Sequence, residues 1–215
     1  MQYFSRYDRP ASSARVQVTR DGASFAPLLT GAFGKVAGQA IARATGRDVA
    51  FIDGGVAGGT LSGWAAATSP WHQNLVRSIR AAGGADLVML QVGWNDAAGG
   101  SIKSRDGQFA FYQSLITAIR AEAAIPDVPI VLGACQNLND AVLRNQNFLA
   151  MQRLAELDAA ANIPGVTYGF STYDLPTYDG VHQSEQGQLT SGQRFAEVAI
   201  AQLTGQPLPH GPQAI

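Results

Sequence analysis

The sequence predicts a doubly wound α/β domain, and two observations carry that expectation. Short apolar runs of strand length recur along the chain, and stretches with helical spacing of apolar residues separate them. At least one run, Asp86 to Val92 (DLVMLQV), is continuously apolar in the manner of a strand buried on both faces. Strands that alternate with helices of this length form a parallel sheet covered on both sides, which gives three layers.

The elements follow in order. Leu29 to Thr45 has helical spacing and closes on Gly46, and Asp48 to Ile52 is a short β-like run. Trp71 to Ala82 reads as a helix ended by glycines, before the strand at 86–92. Gln108 to Ala124 is helical, Pro129 to Ala134 is a third strand, and Val142 to Ala161 is a long amphipathic helix. Val166 to Phe170 is a fourth strand, and Ser184 to Leu203 closes the series with Ser184 as N-cap. Residues 1–203 form one domain on this reading. The tail 204–215 (TGQPLPHGPQAI) is a Pro- and Gly-rich linker or docking arm.

Composition narrows the function classes. The 215 residues suffice for one sizeable core, with 46% hydrophobic and 14% charged residues. Net charge is −1 and the fifteen Lys and Arg are scattered, so no basic stripe for nucleic acid exists. The longest apolar stretches are strand length, so no membrane partner is expected. The single cysteine, Cys135, excludes an internal disulfide framework and reads as a small buried hydrophobe. Three dispersed histidines give no metal-ligand spacing, and neither a metal nor any other cofactor is expected.

Ligands of open α/β sheets sit beyond the carboxyl ends of the strands, and three segments there carry polar chemistry. Gly55 to Trp64 (GVAGGTLSGW) is a glycine loop whose backbone N–H groups can face a ligand, although such loops are more often plain turns. Gly93, Trp94, Asn95 and Asp96 follow the most buried strand. An Asn amide there can donate to a developing oxyanion, and Asn-Asp is also an ordinary turn pair. Asp179 stands three residues before His182 across a Gly turn, where its carboxylate can orient the imidazole as a general base.

Taken together and in this order, the three segments resemble three of the four sequence blocks of the SGNH hydrolases, over about residues 25–203. The resemblance implies a flavodoxin-like sheet and an esterase, with Asp179 and His182 as acid and base. It implies an oxyanion hole of Asn95 with a backbone N–H of Gly58 or Gly59. Gly58, Gly59, Thr60 and Trp64 look most like the carbohydrate-esterase branch, the sialate and xylan O-acetylesterases. Thr60, Trp64 and Trp94 are then substrate-binding candidates, the two tryptophans as a stacking platform for a sugar.

The family's first block, a strand followed by Gly-Asp-Ser or Gly-Gln-Ser-Asn that carries the nucleophile, is absent. Met1, Gln2, Tyr3 and Phe4 look like the stretch that follows it. Ser5 is the nearest serine, but no apolar strand or glycine precedes it, and Ser62 reads as structural or substrate-facing. In the 2-1-3-4-5 strand order the missing strand lies inside the sheet, between 48–52 and 86–92. Its absence would leave two unpaired edges. The expectation is therefore that an upstream segment or a second chain completes the sheet. A weaker option is that Arg15 to Thr19 (RVQVT) does so itself, although its alternation suits an edge. The alternative to an esterase of acylated carbohydrate is an inactive carbohydrate-binding module, such as an adhesin or spike component of a phage-like particle. The compartment is left open: extracellular or particle-borne sites both suit the sequence.

Overall fold

The computed structural model describes residues 15–28, 31–134 and 146–209, together with the backbone of residues 2 and 3. In chain order the elements are β1 (Gln2–Tyr3), β2 (Val16–Thr19), β3 (Ala26–Pro27), α1 (Ala32–Thr45), β4 (Val49–Ile52), α2 (Leu61–Ala65) and α3 (Pro70–Ala81). Then come β5 (Val88–Leu90), α4 (Trp94–Ala98), α5 (Arg105–Glu122), β6 (Ile130–Gly133), α6 (Gln146–Asn162), β7 (Val166–Phe170) and α7 (Glu185–Thr204). Ser184 caps α7 by accepting from the Gly187 N–H at 3.2 Å, and Ser69 and Ser104 cap α3 and α5 in the same way.

The pleat sorts the core onto two faces. Val88, Leu90, Ile130 and Leu132 point to one side, where α2, α3, α5 and α6 cover them with Leu75, Ile79, Leu115 and Ile119. Leu87, Met89, Val131 and Phe51 point to the other, against α1 and α7 through Ile41, Phe195 and Val198. Every residue of β4, β5 and β6 is buried, which explains why these strands read as unbroken apolar runs. The result is a three-layer α/β domain.

The strands pair in two groups, β3-β2-β4 and β1-β5-β6-β7. The β2–β4, β5–β6 and β6–β7 ladders are parallel. Among the described residues no ladder joins β4 to β5. Instead the two-residue β1 runs antiparallel along β5, with Gln2 opposite Met89 and Tyr3 opposite Val88. The 48–52 and 86–92 runs therefore flank the interior position that the 2-1-3-4-5 order assigns to the first strand. The segment 15–19 does not occupy that position: β2 lies on the outer side of β4, in register from Val16 opposite Val49 to Thr19 opposite Ile52. Its alternating, half-buried residues suit that site near the sheet margin.

The topology also places the helix termini. Because α1 precedes the parallel strand β4 and α7 follows β7, both helices begin at the carboxyl edge of the sheet. Phe33 in the first turn of α1 stacks on Phe195 of α7, with centroids 5.6 Å apart. The loops after β4, β5 and β7 all open on this edge.

Candidate active site

His182 stands at the base of α7, on a hairpin whose strands are tied by Tyr178 N–H to His182 C=O at 3.0 Å and Ser184 N–H to Pro176 C=O at 2.8 Å. Gly180 turns the hairpin at φ 80, a conformation that a side chain would strain. The turn wraps around Asp179. Its Oδ1 accepts the backbone N–H groups of Val181 at 2.9 Å and His182 at 2.7 Å, and its Oδ2 lies 2.7 Å from His182 Nδ1. The bond to the imidazole and these N–H donors hold the carboxyl at about 2, below its ordinary 3.8. An ionised carboxylate at Nδ1 fixes the proton there and leaves Nε2 as the basic nitrogen. Among the described residues no serine hydroxyl bonds to that Nε2. The Tyr178 ring, 71% exposed, stacks on the imidazole at 5.7 Å with the planes 16° apart.

The second half of the site follows β5. The chain leaves the sheet after Leu90, turns at Gly93 with φ 99, and enters α4. Asn95 in the first turn of α4 donates through Nδ2 to the Gly59 carbonyl at 2.9 Å, so the amide and the glycine loop are held together. A small cleft of about 130 Å³ has Gly59, Trp64, Trp94 and Asn95 among its walls, together with Gly55 and Val92. Gly58 and Thr60 flank it. The Thr60 hydroxyl is taken up in capping α2, where it accepts from the Gly63 N–H at 3.1 Å. Asp179 and His182 lie on the same edge of the sheet but do not line this cleft.

Trp64 is only 3% exposed and packs on Trp71 at 6.0 Å between centroids, so its ring fills the core and offers no open face to a sugar. Trp94 is half-buried, with its indole N–H enclosed and lacking an acceptor. The aromatic face open to solvent beside the dyad belongs to Tyr178. Ser62 is bound within the loop, to Thr60 Oγ1 at 3.3 Å and Asp96 at 3.4 Å. Ser5 and Cys135 lie outside the described residues.

Two buried polar groups support this half of the site without having been visible in the sequence as such. The Asp96 carboxylate, 2% exposed, accepts the Leu61 N–H at 2.6 Å and so ties α4 to the start of α2. Beneath the Gly93 turn lie Tyr112 of α5 and Gln152 and Glu156 of α6, all at most 1% exposed. Tyr112 Oη and Gln152 Nε2 both donate to the Val92 carbonyl, at 3.0 and 3.3 Å. Gln152 also donates to Tyr112 Oη at 2.7 Å and to Glu156 Oε1 at 3.1 Å. These side chains replace sheet hydrogen bonds where β5 has left the ladder. His72, fully buried, serves similarly between Trp64 C=O at 3.1 Å and Glu122 at 3.3 Å.

Among solved structures, an Arabidopsis thaliana protein superposes with a TM-score of 0.73 at 14% identity, over 91% of this chain and 83% of that one. A serine-to-alanine mutant of an acetyl esterase, crystallised with an acetate ion, gives 0.54 at 16% identity over 69% of this chain and 70% of that one. A carbohydrate esterase of family 3 from Talaromyces cellulolyticus gives 0.50 at 16% identity over 70% of each chain. At such identities the likeness is one of fold. No curated protein matches the chain in sequence. The family model described as "Carbohydrate esterase, sialic acid-specific acetylesterase" matches residues 24–201, most of the chain, and the chain belongs to that family.

Proposed function

We propose that this domain is a serine esterase of SGNH type that removes O-acetyl groups from carbohydrate, with its nucleophile on a segment outside this sequence. The observation that carries the reading is the 2.7 Å bond between Asp179 and His182 Nδ1, which leaves Nε2 as a base at the edge where Asn95 meets the glycine loop. The position between β4 and β5 holds only the two-residue antiparallel β1 among the described residues, and a longer parallel strand taking its place would deliver its carboxyl end, and a nucleophile there, to the same edge.

The chemistry then follows from the residues. His182 Nε2 takes the proton of the serine hydroxyl as its oxygen attacks the acetyl carbonyl, and Asp179 stabilises the imidazolium. The second N–H of the Asn95 amide and the Gly58 N–H receive the oxyanion, since the Gly59 N–H is spent on the Val56 carbonyl at 3.1 Å. On collapse the sugar oxygen leaves with the proton from His182. Water, deprotonated by the same nitrogen, then attacks the acyl-enzyme and releases acetate.

The test is hydrolysis of p-nitrophenyl acetate by the full natural chain and by its His182→Ala variant. Turnover lost by about 10³-fold or more in the variant supports the reading. Turnover equal in both, or none in the wild type together with retained sugar binding, would replace it with the binding-module reading.

A further inference from the structure

A second and larger pocket opens on the same edge. It measures about 430 Å³, against about 130 Å³ for the cleft at Asn95. The sizes divide the work. The smaller cleft is below the range of about 300–1,000 Å³ typical of sites for whole organic ligands and has room for little more than an acyl group, whereas the larger lies within that range. One hydrogen bond joins their walls: Asp53 lines the larger pocket, and its Oδ1 accepts the N–H of Gly55, two residues on and lining the smaller one, at 3.1 Å.

We infer that the pocket between the carboxyl ends of β2 and β4 and the first turn of α1 seats the sugar ring whose acetyl group enters the Asn95 cleft. This rests on the esterase reading above and specifies where its substrate is selected. The walls are amphipathic in the way a pyranose is. Val18, Leu28 and Phe51 give an apolar side, and the rim carries Arg20 and Asp53, with Arg20 Nη2 3.2 Å from Asp53 Oδ2. A guanidinium and a carboxylate side by side offer donors and acceptors at the spacing of neighbouring hydroxyls, each of which both donates and accepts. Arg20 is 85% exposed, so it can turn to a ligand without first being desolvated. Gly31, which opens α1, and Gly34 complete the border of the pocket. Thr19 contributes shape alone, since its hydroxyl is engaged with Asp21 at 2.9 Å and the Gly22 N–H at 3.0 Å.

The test compares two substrates on the full natural chain: p-nitrophenyl acetate, which has no sugar, and O-acetylated sugars, with acetylated xylobiose and O-acetylated N-acetylneuraminic acid as probes. Arg20→Ala removes rim donors and Ser24→Tyr fills the pocket; neither residue touches the dyad, Asn95 or the glycine loop. The expected result is a KM for at least one acetylated sugar raised by about tenfold, with turnover of p-nitrophenyl acetate within about twofold of wild type. Equal effects on both substrates, or no effect on sugar KM, would overturn the inference while leaving the esterase reading intact. If the wild type hydrolyses neither, the esterase reading fails. The pocket is then read by calorimetric titration with the deacetylated probes, where binding that Ser24→Tyr abolishes sustains the site and binding unaffected by it, or absent, refutes it.

Discussion

Replacing Gly93 by alanine should be among the most damaging single changes in the domain, and its cost can be worked from the structure. Gly93 sits at φ 99, where a side chain costs about 1–3 kcal/mol in backbone strain. The new Cβ would lie 2.2–2.5 Å from the amide atoms of Gln152. Gln152 is fully buried and cannot swing into water. It must give up its bonds to the Val92 carbonyl, Tyr112 Oη and Glu156, at 3.3, 2.7 and 3.1 Å. Its two N–H groups are shared among these three acceptors, so at about 1 kcal/mol net for each N–H that adds about 2 kcal/mol, for a total of about 3–5 kcal/mol. Typical domains have only about 5–15 kcal/mol in hand. Urea denaturation followed by circular dichroism measures the loss. Gly83→Ala is the control, since Gly83 also has positive φ, at 80, but nothing stands within 4 Å of its added Cβ. It should cost strain alone, about 1–3 kcal/mol. A Gly93→Ala protein no less stable than Gly83→Ala would show that the polar cluster under the turn does not hold it.

Three further predictions concern the site. Asp179→Asn should cut kcat by between about 10² and 10⁴ with little change in KM, because an amide whose oxygen keeps the Val181 and His182 N–H groups turns its NH2 toward Nδ1 and favours the wrong tautomer. The lower end reflects the exposure of the pair, 66% for the His182 side chain and 38% for Asp179, which lets water stand in. Because the Asp179 carboxyl is held at about 2 rather than 3.8, its share of the pair is complete above its ordinary value and fades only as the pH falls toward 2. A pH–rate profile should therefore show no loss of activity from Asp179 protonation above its ordinary 3.8, and a step traced to that residue above this pH would contradict the geometry. Tyr112→Phe should lower kcat by about tenfold at constant KM, by loosening the Val92 carbonyl beneath the turn that presents Asn95. Combined with Asn95→Ala it should add almost nothing, since both act on one group, and fully additive effects in that cycle would remove Tyr112 from the positioning of Asn95.

The parallel layers of the fold were legible because burial wrote them plainly. β4, β5 and β6 are enclosed on both faces and read as apolar runs, and Ser184 announces α7 by its cap. The β5 ladder is shorter than the apolar run because Gln91 and Val92 already belong to the turn, and apolarity does not distinguish ladder from exit. The helices α2 and α4 have five residues each, too few for a periodic pattern, so the burial of Trp64 and the tie from Asp96 to Leu61 could not be read. The Asp179 turn is local, three residues wide, and its geometry follows from Asp-Gly turn chemistry. The support under Gly93 joins Gln152 to Tyr112 and Val92, 40 and 60 positions away, and nothing in the spacing of Tyr112, Gln152 and Glu156 marks them as one cluster. The large pocket was equally hidden, because it depends on β2 lying outside β4 and not between β4 and β5.

In the proposed function, Asp179 and His182 serve a serine that enters the sheet between β4 and β5 from outside these 215 residues. The most direct test is intact-mass spectrometry of natively purified protein before and after a serine-directed fluorophosphonate, followed by mapping of the labelled peptide. One adduct is expected, on a serine of an upstream segment or an associated chain, that His182→Ala abolishes. An adduct on a serine within this sequence, Ser5 included, or no adduct on any chain present, would contradict it.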